Sequence, residues 1–374
     1  MSSVASGIGR RYNAVWQQTM LRIKDPKISV PFYEKHFGME LVHQYDFPQW
    51  KFSLFFLEKK HPKDPPAVGP QGPGSPPPTT VASEKYLWDM NGPVTLELTH
   101  NHGSETDTNF KVWSGNSGSD LPPESPLFLE NGPVRGFGHI AFNVDDVYAF
   151  SEKLEQEGVK FQKRPNEGRM KGLAFALDPD GYWLELCARS TESEAAKARF
   201  EGVGPNLSQT MLRVKDADAS IAFYTNVLGM TVVRKMEIPN DFTNYFLASK
   251  FLPEEEEKWK TVCKEDPNSP DAREFVKSLW YPVLELTHNH GTEAKEDFVI
   301  CNGNGGDYQG FGHIGFLVDD LNSCCQEMEA AGVKFHKKPT DGNMQQIAFA
   351  LDPSGYRVEL VQRGSTFAGV CANF

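Results

Sequence analysis

No stretch of this 374-residue chain is apolar for the ~20 residues that a membrane-spanning helix needs, so a helical membrane protein is not expected. Positive charge is also short, with 38 Lys and Arg against 50 Asp and Glu and a net charge of -12. A field of that sign repels phosphate backbones and anionic lipid, so neither nucleic acid nor membrane is the expected partner. Cysteines number six (Cys187, Cys263, Cys301, Cys324, Cys325, Cys371) and none is spaced C-x-x-C. They read as reduced thiols of a cytoplasmic protein. The opening residues MSSVASGIGRRYNA lack the apolar core of a secretion signal, and two arginines leave an organellar leader as the alternative. Cys371 to Phe374 imitate a prenylation box, but Asn373 stands where an aliphatic residue is usual, so no lipid is expected. What remains is balanced, 39% hydrophobic and 24% charged, enough for packed cores. At roughly 100–200 residues per domain, the length predicts two or three domains.

Self-similarity dominates what is present. QTMLR occurs at 18–22 and 209–213, ELTHNHG at 97–103 and 285–291, GFGHI at 136–140 and 310–314, and AFALDP at 174–179 and 348–353. The offsets fall from 191 to 188 to 174, so the chain is a tandem duplication whose length differences lie in loops. One such loop lies between Gly103 and Arg135. Another, 61–78, holds eight prolines and three glycines in 18 residues and is expected to be extended and solvated. Its counterpart carries Glu254 to Glu257, read as a solvated face. The expected halves are 1–189 and 207–374, joined by an Ala/Glu/Lys-rich linker at 190–206.

Each half divides again. Four segments run from an Asp to a Gly: Asp25 to Gly38, Asp146 to Gly158, Asp216 to Gly229 and Asp320 to Gly332. Asp accepts hydrogen bonds from the free amides of a helix start, and Gly adopts the left-handed turn that ends one. Interior apolar spacing, as in Phe150, Leu154 and Val159 or Ile221, Tyr224 and Leu228, fits amphipathic helices. Pro31 predicts that the first of them begins late or kinks. A strand-like alternation precedes each helix (TMLRIK, HIAFNV, TMLRVK, HIGFLV). A second strand follows later, ending in Leu96-Glu97-Leu98, Leu184-Glu185-Leu186, Leu284-Glu285-Leu286 and Val358-Glu359-Leu360. The expected fold is α+β: four tandem βαβββ units, at about 15–103, 135–189, 207–291 and 310–363, with helices outside curled mixed sheets.

Polar residues recur inside these strands at one fixed place. Gln18, His139, Gln209 and His313 each fall seven residues before a capping Asp. Glu97, Glu185, Glu285 and Glu359 each interrupt an apolar last strand, where alternation points them to the face opposite their neighbours. A single such Glu would be read as solvent-facing. Four, each paired with a Gln or His, read as ligands. If that face is concave, two facing units place Gln, Glu, His and Glu around one point. This thiolate-free, oxygen-rich set suits an octahedral divalent ion, whereas structural zinc prefers Cys and His. Eight ligands make two sites.

The segments QQTMLRIKDP (17–26), TLELTHNHG (95–103), RGFGHIAFNV (135–144) and MKGLAFALDPDGYWLEL (170–186) closely resemble glyoxalase I, the lactoylglutathione lyase family of the vicinal-oxygen-chelate superfamily. The resemblance covers nearly all of both halves and implies a fused form of an enzyme that is elsewhere a homodimer, and hence a monomer. It implies isomerisation of the glutathione–methylglyoxal hemithioacetal to S-lactoylglutathione, with zinc as the first choice of metal and nickel as the alternative. The implied ligand sets are Gln18 and Glu97 with His313 and Glu359, and Gln209 and Glu285 with His139 and Glu185. Pairing within a half stays open at the level of sequence. Glu185 and Glu359 are implied as the proton-moving carboxylates, opposed by Glu97 and Glu285. Glutathione contacts are implied for Arg22, Asn101, Arg213 and Asn289, and for Arg135, Arg169, Met170 and Lys171, with Met344 the counterpart of Met170. Gln309, Asn343 and Gln345 replace Arg135, Arg169 and Lys171 in the second half. The site using His139 and Glu185 is therefore expected to bind glutathione adducts more tightly, since each lost charge-assisted bond is worth roughly 1.5–3 kcal/mol.

Other motifs read more plainly. His100, His102, His288 and His290 follow the Glu strands and are expected in loops or walls rather than as ligands. Asn302 to Gly306 lack the Gly-Lys-Ser/Thr ending of a phosphate loop and read as a flexible turn. Gly136-Phe137-Gly138 is too short for a dinucleotide fingerprint and lets the chain enter the His strand. Met20 and Met211 read as core or pocket wall. Of Cys324 and Cys325, mid-helix, one is expected buried and one peripheral. Two rivals use the same chassis: a ring-cleaving dioxygenase, against which Gln18 and Gln209 argue because iron would want two His and one carboxylate, and a metal-free binding protein, which has no need of both quartets.

Overall fold

A computed structural model describes residues 7–60, 79–116, 135–190, 194–306, 308–367 and 369–371, and two short strands at 128–129 and 132–133. The proline-rich stretch 61–78 and residues 372–374 lie outside the described residues.

Four units with the same order, strand, helix, then three strands, account for most of the chain. In unit I these are Val15–Ile23, the helix Pro26–Phe37, Glu40–Phe47, Phe52–Glu58 and Thr95–Asn101. Unit II has Phe137–Val144, the helix Val147–Gln156, Phe161–Lys163, Ala174–Leu177 and Trp183–Ala188. Unit III has Asn206–Val214, the helix Ala217–Ala222 continued by a π-turn at Phe223–Val227, Thr231–Ile238, Phe242–Ala248 and Val283–Asn289. Unit IV has Phe311–Val318, the helix Leu321–Ala330, Lys334–Lys337, Ile347–Leu351 and Arg357–Gln362. Asp25, Asp146, Asp216 and Asp320 cap the four helices, each carboxylate accepting from a backbone amide of the first turn. Replacing such a cap by Ala typically costs ~1 kcal/mol. The helix with Pro31 neither starts late nor stops there: it begins at Pro26 and runs through to Phe37.

Two eight-stranded mixed sheets result, and neither follows a sequence half. Unit I shares one sheet with unit IV, and unit III shares the other with unit II. Each sheet closes through its two first strands, which pair antiparallel at the centre: Gln18 opposite Gly315 and Met20 opposite His313 in one, Gln209 opposite Ala141 and Met211 opposite His139 in the other. Within a unit the first and last strands run parallel, Met20 beside Glu97 and Gly315 beside Glu359. The sheets meet at their middles. Thr19 and Thr210 share a buried 2.7 Å hydrogen bond, and Phe137 stacks on Phe311 at 5.1 Å. Tyr182 Oη donates to the Arg22 carbonyl and Tyr356 Oη to that of Arg213, each at 3.0 Å. Gly136 and Gly310 are required by this closure, since a Cβ would lie 1.8 Å from the Cys301 carbonyl oxygen and 1.9 Å from that of Trp113.

Several local expectations change. The linker 190–206 contains the helix Glu194–Phe200, and Phe200 stacks on Trp280. Arg199 from that helix pairs with Glu255, which is buried and accepts from the Leu252 and Trp280 amides. The acidic run is therefore not uniformly a solvated face, because Glu255 caps its own helix and receives the linker. Cys324 and Cys325 are both buried, because this helix packs against the short helix Ile8–Arg11 as well as against the sheet, with Cys324 near Arg11 and Cys325 near Lys337. The turn 302–306 is ordered into a two-residue hairpin, Asn304–Gly305 against Tyr308–Gln309. None of the six cysteines, all among the described residues, is in a disulfide. No helix of the described residues is long and apolar enough to cross a membrane.

Two candidate metal centres

Strand geometry brings the repeated polar residues together. On one face of the first sheet, Gln18, Glu97, His313 and Glu359 converge from the four central strands, all buried. Gln18 Nε2 donates to Glu97 Oε2 at 2.7 Å and Glu359 Oε2 at 2.6 Å and lies 3.2 Å from His313 Nε2. His313 Nε2 is 3.2 Å from each carboxylate. This is centre A. Gly315, opposite Gln18, makes room for it, as a Cβ there would be 2.6 Å from Gln18 Cγ. Centre B forms in the second sheet: Gln209 Nε2 donates to Glu285 Oε2 at 2.9 Å and to Glu185, and His139 Nε2 is 3.3 Å from Glu185 and 3.5 Å from Glu285. Both quartets therefore draw two residues from each half.

Electrostatics explain what these groups want. Burial pushes Glu97 and Glu285 up from the usual carboxylate range, and the neighbouring carboxylate adds to the effect in each. Burial alone would lower His139 and His313, but the flanking carboxylates outweigh it and hold both imidazoles at about 9. Burial also acts against ionisation of Glu185, yet His139, Cys187 and Gln209 more than offset it and hold this carboxyl below its ordinary value. Each centre is a buried pair of acids gathered around a shared positive charge. Gln18 Oε1 is buried without a hydrogen-bond partner, and turning the amide over would put this orphaned acceptor in place of Nε2 among the carboxylates and imidazole, where a cation would satisfy it. One imidazole, two carboxylates and an amide oxygen, with ligand atoms of the first three lying within 4.8 Å of one another in each centre, fit a divalent ion that keeps water in its shell.

The surroundings differ. Centre A opens on a cavity of about 320 Å³ lined by the polar Arg22, Asn101 and Asn304 and by aromatic side chains that include Phe52 and Phe56. Met20 and Met344 line it, as does Arg357. Sequence comparison passed over Arg357 because its counterpart in unit II is Trp183. The signal was available two residues before Glu359, on the same strand face. Arg22 donates to Asn304 Oδ1 at 2.9 Å, and Arg213 repeats this with Asn116 Oδ1 at 2.9 Å. Burial lowers Arg22, with Arg357 adding to the effect, and lowers Arg213 to about 10, with Arg135 adding to it. Each centre thus has a second cation near its strand arginine, placed on a strand in A and at the exposed start of the unit in B. Arg169, Met170 and Lys171 stand exposed on the loop before Ala174, where Lys171 bonds back to the Asn166 carbonyl. Asn289 ends its strand half-buried.

The His-x-His pairs are structural: His100 and His288 bond Glu105 and Glu293, and His102 and His290 bond Ser53 and Thr243, each at 2.8 Å. Gly138 and Gly312 let Met211 and Met20 lie against the His strands, where a Cβ would be 2.3 and 2.4 Å from sulfur.

The sequence profile of the Glyoxalase/Bleomycin resistance protein/Dioxygenase superfamily matches twice, at residues 16–186 and 206–360. The glyoxalase I of Saccharomyces cerevisiae is 39% identical over 350 residues, covering 92% of this chain and 91% of that protein. The chain belongs to the glyoxalase I family. The lactoylglutathione lyase of Schizosaccharomyces pombe is similar to the same degree, 38% identical over 92% of this chain and 95% of its own length. Among solved structures, glyoxalase I from Zea mays has a TM-score of 0.56 at 24% identity over 94% of this chain and 92% of its own, a likeness of fold. The duplicated glyoxalase fold described above is thus shared along nearly the whole chain.

Proposed function

We infer that this glyoxalase I family member isomerises the hemithioacetal of methylglyoxal and glutathione to S-lactoylglutathione at both centres. The observation that carries this reading is the duplicated Gln, Glu, His and Glu quartet, buried beside a strand arginine, in a chain 39% identical to a glyoxalase I. Gln18, Glu97, His313 and Glu359 would hold one divalent ion, and Gln209, Glu285, His139 and Glu185 the other. When bound, the ion acts as a Lewis acid toward the oxygen charge that develops as a proton leaves the neighbouring carbon. Zinc is the first choice and nickel the alternative, on the likeness of the long loops to the zinc-using eukaryotic form.

The chain's own groups supply the rest. Glu359 in centre A and Glu185 in centre B take the proton from C1 and return it to C2, base and acid in turn. Glu97 and Glu285 face them across the reacting carbons. Burial of all four excludes bulk water, which strengthens these interactions and protects the intermediate charge. Arg22 with Arg357, and Arg213 with Arg135, take the carboxylates of glutathione. One chain supplies every ligand of both quartets, so the protein works as a monomer, and its six cysteines outside any disulfide suit the cytoplasm. An iron set of two His and one carboxylate would need a second imidazole where Gln18 and Gln209 stand. Thioester formation from methylglyoxal plus glutathione, followed by absorbance after chelation and after readdition of each metal, tests the reading. Activity lost on chelation and restored by zinc or nickel is expected, and undiminished activity in the chelated protein contradicts it.

A further inference from the structure

The two centres share their ligands but not the wall against which the aldehyde's substituent would lie. In centre A, strand register sets Phe56 beside Glu97, Leu54 beside Thr99 and Phe52 beside Asn101, with Tyr45 and Phe47 on the next strand. Trp88 packs edge-on to Phe56 at 5.6 Å. The chain's last segment closes this box: Phe367 lies 5.6 Å from both Tyr45 and Trp88 and lines the cavity. A buried glutamate holds the segment in place. Glu84 accepts from the Phe367 amide, the Thr366 hydroxyl and the Tyr45 hydroxyl, at 2.7, 2.7 and 2.6 Å.

The same positions in centre B read differently. Pairing of Phe246 with Glu285 fixes the correspondence, so Asn244 replaces Leu54, Met236 replaces Tyr45, and Ile238, 38% exposed, replaces Phe47. Asn244 is buried, donates to Glu285 Oε1 and accepts from the Thr287 hydroxyl at 3.0 Å. Arg234 takes the place of His43 and lies over the Phe246 ring. After its last strand, unit II sends the chain away through Arg199 and Phe200 to Glu255 and Trp280. An aromatic ring seated on this wall would leave Asn244 facing an apolar surface. In centre A it would meet carbon and ring edges on all sides.

On the glyoxalase reading above, we propose that the two centres divide the 2-oxoaldehyde adducts by substituent. Centre A takes aryl and other bulky apolar ones, with Phe367 of the C-terminal segment as a specificity-determining residue, and centre B takes small or hydroxylated ones. The full chain is assayed with glutathione adducts of methylglyoxal and phenylglyoxal in two single-centre backgrounds, Glu185→Gln leaving A and Glu359→Gln leaving B. The phenylglyoxal-to-methylglyoxal ratio of kcat/KM is expected to be about tenfold or more higher in the A background. Phe367→Ala should lower that ratio severalfold in the A background and leave it unchanged in the B background. Should Phe367→Ala fold poorly, Leu54→Asn, which copies centre B, should lower the A ratio and Asn244→Leu should raise the B ratio. Equal ratios in the two backgrounds, or an A ratio indifferent to both Phe367→Ala and Leu54→Asn, overturn the proposal while leaving the glyoxalase reading intact. No thioester from either aldehyde in the unsubstituted protein overturns that reading and this one with it.

Discussion

Centre A and centre B present the same four residue types from the same strand positions, yet their walls differ. Gly315 against Ala141, Arg357 against Trp183, Leu54 against Asn244 and Val361 against Cys187 are all within a strand or two of a ligand. The difference separates two kinds of constraint. A quartet around one ion fails if any member moves, whereas a wall residue only changes what fits. In a homodimer both sites must carry identical walls. In a fused chain each wall is encoded separately, and here the second cation stands at the exposed start of a unit in B, Arg135, and on a strand in A, Arg357.

The comparison breaks most sharply at the carboxylates. Glu185→Gln combined with Glu359→Gln should abolish turnover, by about a thousandfold or more for loss of both general bases, while each single change leaves the other centre's share; steady-state kinetics of all three decide it. If one single change alone removes all activity, only one centre works.

Acid should act on both centres alike. His139 and His313 are held protonated up to about 9 by their carboxylate neighbours, and an incoming cation must displace that proton. Metal affinity should therefore rise with pH, about tenfold per unit between pH 6 and 8, with a proton released at each centre. Calorimetric titration in buffers of differing ionisation enthalpy measures both. A pH-independent affinity would mean that the imidazoles are neutral before the ion arrives.

The cations sharpen the contrast at a smaller scale. Arg357→Trp should raise KM for the adduct at centre A by about tenfold, from loss of one charge-assisted bond, and Arg135→Gln should do the same only at centre B. Both are read in the single-centre backgrounds. Equal effects on the two centres would show that the pocket assignments are wrong. Smallest is the fold-level symmetry: Asp216→Ala and Asp320→Ala should each cost ~1 kcal/mol by denaturant unfolding, because each removes one helix cap.

The quartet residues and helix caps were legible because they recur four times at fixed spacing, so each unit checks the others. Arg357 was not, since comparing repeats marks it only as a departure from Trp183. Asn116 and Asn304, which receive the strand arginines, keep the offset of 188 that relates the two ELTHNHG segments, so their register was available, but nothing in the sequence shows that an arginine on another strand reaches them. Glu84 and Glu255 were hidden for another reason: their partners at Phe367 and Arg199 are long-range, and a buried glutamate looks like a solvated one until those partners are known. Most of all, sequence left open which quartets form. That depended on Gln18 pairing opposite Gly315 rather than on any motif.

That pairing across the halves is the central claim, and bound metal per chain tests it directly. The protein should hold two divalent ions. Glu97→Gln with His313→Ala strikes one centre twice and should leave one ion, whereas Glu97→Gln with His139→Ala strikes both and should leave neither tightly bound. The reverse pattern, one ion surviving beside His139→Ala and none beside His313→Ala, would place each centre within a half and contradict the account.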